Sequence, residues 1–200
     1  MKKGYLLAIL IGAIALFAGI ATQSFAGDMP VNDVQFIRKM LLQPDADFSP
    51  FIGEELCSAF IWLIDNDQTP QRERVVHRAV ARLWQTGDER AVPYLIDYMD
   101  EYAMDCLYNL GYFPTPDSCN TLLAHVNDDD EFNRRYAAQS LGKLDYTVSD
   151  EMWALRDTAL AELADRLENE KEEWMLPIIS DAYMAVTIQV RPQEENNPSN

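Results

Sequence analysis

The chain has 200 residues, 48% of them hydrophobic and 24% charged, with 33 acidic against 16 basic side chains and a formal net charge of -17. That length carries one domain with a real core. The charge excludes nucleic acid and anionic lipid as natural partners, and it either steers cationic partners or keeps the protein soluble.

The first thirty residues, "MKKGYLLAILIGAIALFAGIATQSFAGDMP", have the three parts of an export signal: Lys2 and Lys3, an uncharged run from Tyr5 to Ala21, and small residues at Ser24 and Ala26 around Phe25. The expected signal peptide is 1–26, with the mature chain periplasmic or secreted. An uncleaved membrane anchor is the alternative, because the apolar run lies at the lower limit for spanning a bilayer. Removal of 1–26 leaves fourteen basic residues against thirty-three acids, a formal charge of -19.

Residues 27–70 read as an N-terminal capping hairpin, "VNDVQFIRKMLL" (31–42) and "PFIGEELCSAFIWLIDN" (50–66), separated by a loop holding Pro44 and Pro50. Internal repeats occupy 71–169. A shift of 27 places Ala79, Val80, Leu83, Ala91, Leu95 and Met99 on Cys106, Leu107, Leu110, Ser118, Leu122 and Val126; a further shift of 31 places Cys106, Leu107, Leu110 and Gly111 on Ala137, Ala138, Leu141 and Gly142. Each triplet runs i, i+1, i+4, which is one stripe of a helix and not the alternation of a strand. Each unit is therefore two short amphipathic helices, broken at Gly87, at "YFPTP" or at "LDYTVS". Neither helix buries its stripe alone, so the units must stack. The expected fold is all-α: a right-handed α-solenoid of about four to five helical hairpins with degenerate terminal repeats. Residues 170–190 read as a closing helix with Pro177 in or near its first turns, where it is tolerated, and 191–200 as a polar, disordered tail.

"GDERAVPYL" (87–95) and "DDDEFNRRYAAQSLGKL" (128–144) match two segments of one repeat unit, and over residues 70–165 the chain resembles the HEAT-like repeat proteins of the phycobilisome-lyase type. The resemblance implies a stacked-hairpin fold and an arginine at Arg134 that reaches back to an acidic turn. That arginine is replaced by Val76 and Ala103 in the other copies, and the third copy carries extra residues around "DYTVSDEM". Repeats this degenerate speak to fold and not to activity.

The side-chain clusters fit architecture better than chemistry. Asp128, Asp129, Asp130 and Glu131 lack the glycine and glutamate spacing of a calcium loop and read as caps of the following helix. His77 and His125 lack the further ligands a zinc site needs, so no metal and no cofactor are expected. No glycine-rich phosphate loop is present. Cys106 and Cys119 lie at matching heights on the two helices of one hairpin, which suits a disulfide in an oxidising space; two buried thiols are the alternative. Cys57 reads as a buried free thiol. On the second helix of the first clear repeat, Tyr94, Asp97, Tyr98 and Glu101 fall opposite the core stripe, either as a binding surface for a basic partner or packed on the next repeat.

Function follows the fold. The expectation is a non-enzymatic, exported HEAT-like repeat protein acting as a protein-binding scaffold or adaptor in the periplasm, with a basic or mixed-charge protein partner and no nucleic acid or membrane after signal cleavage. One alternative is an inhibitor or immunity-type protein that neutralises a basic periplasmic enzyme. Another is an envelope enzyme using two convergent carboxylates.

Overall fold

The computed structural model describes residues 31–191 except Pro50 and Ile52, so the signal expected at 1–26 and the tail beyond Arg191 lie outside the described residues. Among the described residues there are nine α-helices and no strand. They are α1 (Val31–Leu41), α2 (Glu54–Asn66), α3 (Arg72–Val80), α4 (Ala91–Asp97), α5 (Met99–Leu110), α6 (Pro116–His125), α7 (Glu131–Leu141), α8 (Asp150–Asn169) and α9 (Leu176–Thr187). Short 3-10 turns at Leu83–Thr86 and Glu173–Met175 extend α3 and introduce α9.

Helix ends follow local chemistry. Thr115 caps α6 by accepting the Ser118 N–H, and Pro116 takes the first helical position, where no N–H is needed. Asp130 caps α7 and Ser149 caps α8 in the same way. Gly87 has φ 63 and stops the turn that follows α3 in a left-handed conformation. Pro177 lies in the first turn of α9.

The helices form two rows. α3, α5, α7 and α9 touch in succession; α2, α4, α6 and α8 touch in succession opposite them; and pairs such as α2 with α3, α6 with α7 and α8 with α9 join the rows. The core lies between. Ala79, Val80, Leu83, Cys106, Leu107, Leu110, Ala137, Ala138 and Leu141, the positions that recur in sequence, are each 0% to 1% exposed. Their partners Ala91, Leu95, Ser118, Leu122 and Val126 from the second row are equally buried.

Small residues set how closely the first row stacks. A Cβ built on Gly111 would meet Ser140 Cβ at 2.8 Å, and one on Gly142 would meet Ala182 Cα at 2.7 Å. The matched glycines therefore do the same job in successive units: each lets the end of one helix touch the next. Asn109, fully buried, closes the α3 to α5 join; its amide nitrogen donates to the Asp105 and Ala81 carbonyls and its oxygen accepts the Trp84 N–H at 2.7 Å. Arg38 ties α1 down through Asp67 (3.1 Å) and Thr69 (2.6 Å).

Two expectations are corrected. The helix expected to continue from Ala91 through Glu101 ends at Asp97; Tyr98 sits at the break (φ -95, ψ 11), and α5 starts at Met99. The Cys106–Cys119 disulfide is not formed: Cys57, Cys106 and Cys119 are all free and buried. Cys119 Sγ contacts the Tyr146 hydroxyl at 3.9 Å, and burial raises the thiol pKa values to about 12 for Cys106 and about 11 for Cys57 and Cys119. Thiols in that condition are inert core side chains.

Candidate functional site

The residues singled out in sequence are not brought onto one stripe. Tyr94 and Asp97 lie on α4, Tyr98 at the break and Glu101 in the first turn of α5. The Tyr94 hydroxyl donates to Asp65 of α2 at 3.3 Å, and the Tyr98 ring stacks on Tyr102 at 6.3 Å, which stacks on His77 at 4.9 Å. Both tyrosines thus rest on neighbouring helices, while Asp97 and Glu101 stay exposed.

The acidic turn is architecture. Asp130 accepts the Phe132 and Asn133 N–H groups, and Asp128 accepts the Asp130 N–H and bonds His125 at 3.0 Å. Burial pushes the Asp128 carboxyl up, but the Asp130 N–H, His125 and Asn133 outweigh it and hold it below the ordinary range. Arg134 donates to the Asp128 and Asp129 carbonyls at 2.9 Å each and to both oxygens of Glu170 at 3.1 Å. The Glu170 side chain is fully buried, also meets Arg166 at 3.5 Å, and is held below the ordinary range as those bonds outweigh its burial. His77 pairs with Asp105 at 2.8 Å. Among the described residues no group of three or more metal-ligating side chains converges.

A different surface stands out, on the outer side of the first row. Trp84 stacks on Tyr112 at 4.8 Å; Tyr112 meets Tyr108 edge-on at 5.5 Å, with their hydroxyls 2.8 Å apart; and Tyr108 meets Tyr136 edge-on at 6.3 Å. Arg135 carries the line onward, 5.2 Å from the Tyr136 ring and 5.8 Å from Trp174, which leans on Phe132 at 6.2 Å. The strip therefore crosses from the end of α3 over α5 and α7 to the turn before α9. Tyr112, Trp174 and Phe132 are 38%, 42% and 45% exposed.

Two cations are embedded in it. Lys143 Nζ lies 3.5 Å from the Tyr108 ring centroid and 4.7 Å from that of Tyr112, a cation–π pair in place of an ion pair. Neither Lys143 Nζ nor Arg135 Nε has a hydrogen-bond partner, and neither side chain meets a carboxylate among the described residues. Burial lowers the Lys143 pKa to about 8. Beside Lys143 an open groove of about 260 Å³ runs between α7 and α9, floored by Gly142 and Ala182 and walled by Ile178, Ala185 and Asp181.

No family model and no curated protein matches this chain. The strip therefore has to be read from its own chemistry. Sequence reasoning missed it because its members occupy non-core positions that differ from unit to unit. The signal available was the shift of 31, which places Tyr112 on Lys143, together with the spacing of Tyr108 and Tyr112 one helical turn apart.

Proposed function

We propose that this chain is an exported, HEAT-like α-solenoid of four to five hairpins that acts as a protein-binding scaffold or adaptor in the periplasm or an equivalent space. The observation that carries the reading is the strip of half-exposed aromatic rings laid across successive helices of one row. Rings of this kind bring large contact area at low entropic cost, and arginine and aromatic side chains are what protein interfaces concentrate. Two rows of helices, each touching its neighbours one and two places along the chain, support the solenoid reading alongside the repeats at shifts of 27 and 31.

The lowered carboxylates speak for structure over acid chemistry. Asp67, Asp88, Asp128 and Glu170 each face an arginine or histidine, whereas a general acid needs a raised pKa. A second reading, neutralisation of a basic enzyme, rests on the charge of -17 and predicts tight binding that weakens steeply with salt. Affinity purification of the tagged mature chain from its own envelope fraction tests the scaffold reading. A partner recovered in fixed proportion and retained at moderate salt is expected. Recovery of nothing above an unrelated acidic control overturns it.

A further inference from the structure

We infer that the aromatic strip docks an acidic segment of a protein partner, with Arg135 and Lys143 receiving its carboxylates and the groove between α7 and α9 receiving an adjacent apolar side chain. This inference rests on the scaffold reading.

The chain has about two acids for every base, and most of its arginines reach oxygen, among them Arg38 on Asp67, Arg90 on Asp88, Arg134 on Glu170 and Arg156 on the carbonyls of Val186 and Thr187; Arg82 lies over the Phe48 ring at 5.9 Å. Arg135 and Lys143 reach rings instead. Stacking occupies the face of a guanidinium and leaves its in-plane Nη donors for a carboxylate. Lys143 Nζ is buried against the rings with no hydrogen bond to lose, so a rotation of the side chain toward the lip of the groove lets an anion there supply the partner its ammonium lacks.

Ring geometry favours a peptide over a sugar. Tyr108 stands 62° from Tyr112 and 89° from Tyr136, so faces and edges alternate. A glycan stacks best on coplanar faces, whereas alternating rings leave notches that side chains fill. The groove adds the apolar notch, since its floor is small where Gly142 touches Ala182. Asp181 on its wall repels carboxylate, which orients the acid toward Lys143. The net charge of -17 still attracts a partner that is basic elsewhere, so the fitting partner is of mixed charge.

The test is selection from a random 12-residue peptide library on the immobilised mature chain, with an oligogalacturonate arm for an acidic glycan. Expected are peptides enriched in Asp or Glu beside an apolar residue, which shift tryptophan emission and bind at least tenfold more weakly to R135Q/K143Q. Circular dichroism and the melting temperature control for folding of that variant; A185W, which fills the groove and leaves both cations, is expected to weaken binding independently. Enrichment of basic peptides, equal affinity for R135Q/K143Q and A185W, oligogalacturonate binding in place of peptide, or no enrichment each overturns the assignment. Undiminished envelope partner recovery by R135Q/K143Q sinks this site and leaves the scaffold standing, whereas no partner for the wild type sinks the scaffold itself.

Discussion

Lys143 and Glu170 are buried charges solved in opposite ways. Lys143 has rings and no oxygen, so its pKa falls from 10.5 to about 8 and the folded protein releases that proton before the unfolded chain does. Stability therefore rises with pH between those values, whereas below about 8 the penalty is constant. Relative to K143M, which cancels the tyrosine titrations common to both proteins, the wild type is expected to gain on the order of 1 kcal/mol between pH 7.5 and 9.5 in urea unfolding, a figure discounted for partial exposure. Glu170 meets Arg134, Arg166 and the N–H groups of Lys171 and Glu172. R134A leaves a buried carboxylate with weaker partners and is expected to cost about 3 kcal/mol at pH 7. Because the folded pKa of Glu170 is depressed, that difference is fully present above the ordinary value of 4.5 and shrinks as pH falls through the folded one, which acid titration of the two proteins measures.

Among the elements, the tightest constraint is where a helix end touches a neighbour's backbone. G142A puts a methyl 2.7 Å from Ala182 Cα, a contact that only movement of α9 relieves. It is expected to lower stability by about 2 kcal/mol, read as a drop in the urea midpoint at unchanged slope. The same glycines were legible in sequence because they recur at one register beside the buried triplets. So were the cap at Asp130 and the start of α9, since each depends on local side-chain chemistry. The break at Tyr98 was not. "LIDYMDEYAM" contains no proline or glycine, and its apolar spacing fits an uninterrupted helix; the stacking of Tyr98 on Tyr102, and of Tyr102 on His77, belongs to tertiary packing. The disulfide misled for a similar reason, because matching heights do not say which way two sulfurs face, and Cys119 faces Tyr146.

For the whole molecule, the helices contact their neighbours one and two places along and little else. Such stacks open from their ends, and the buried thiols report it. Cys57 on α2, Cys106 on α5 and Cys119 on α6 are expected to resist maleimide in the native protein and to react completely in denaturant without reductant, Cys57 first in partial denaturant. A Cys106–Cys119 pair that reacts only after reduction contradicts this. The strip was illegible at this scale, since no single unit contains it and it exists only once Tyr112, Tyr136 and Trp174 are laid side by side. The joins between units share a further property, a direction in time. Asn109 completes the end of α3, Glu170 fastens α7, and Gln189 holds the Leu144 carbonyl and the Tyr146 N–H, so each latch comes from 25 or more residues later in the chain. During synthesis each of these three joins is made before the side chain that locks it. Loss of the few residues that follow α9, Gln189 among them, would consequently be felt one unit upstream, at a loop those residues never adjoin in sequence.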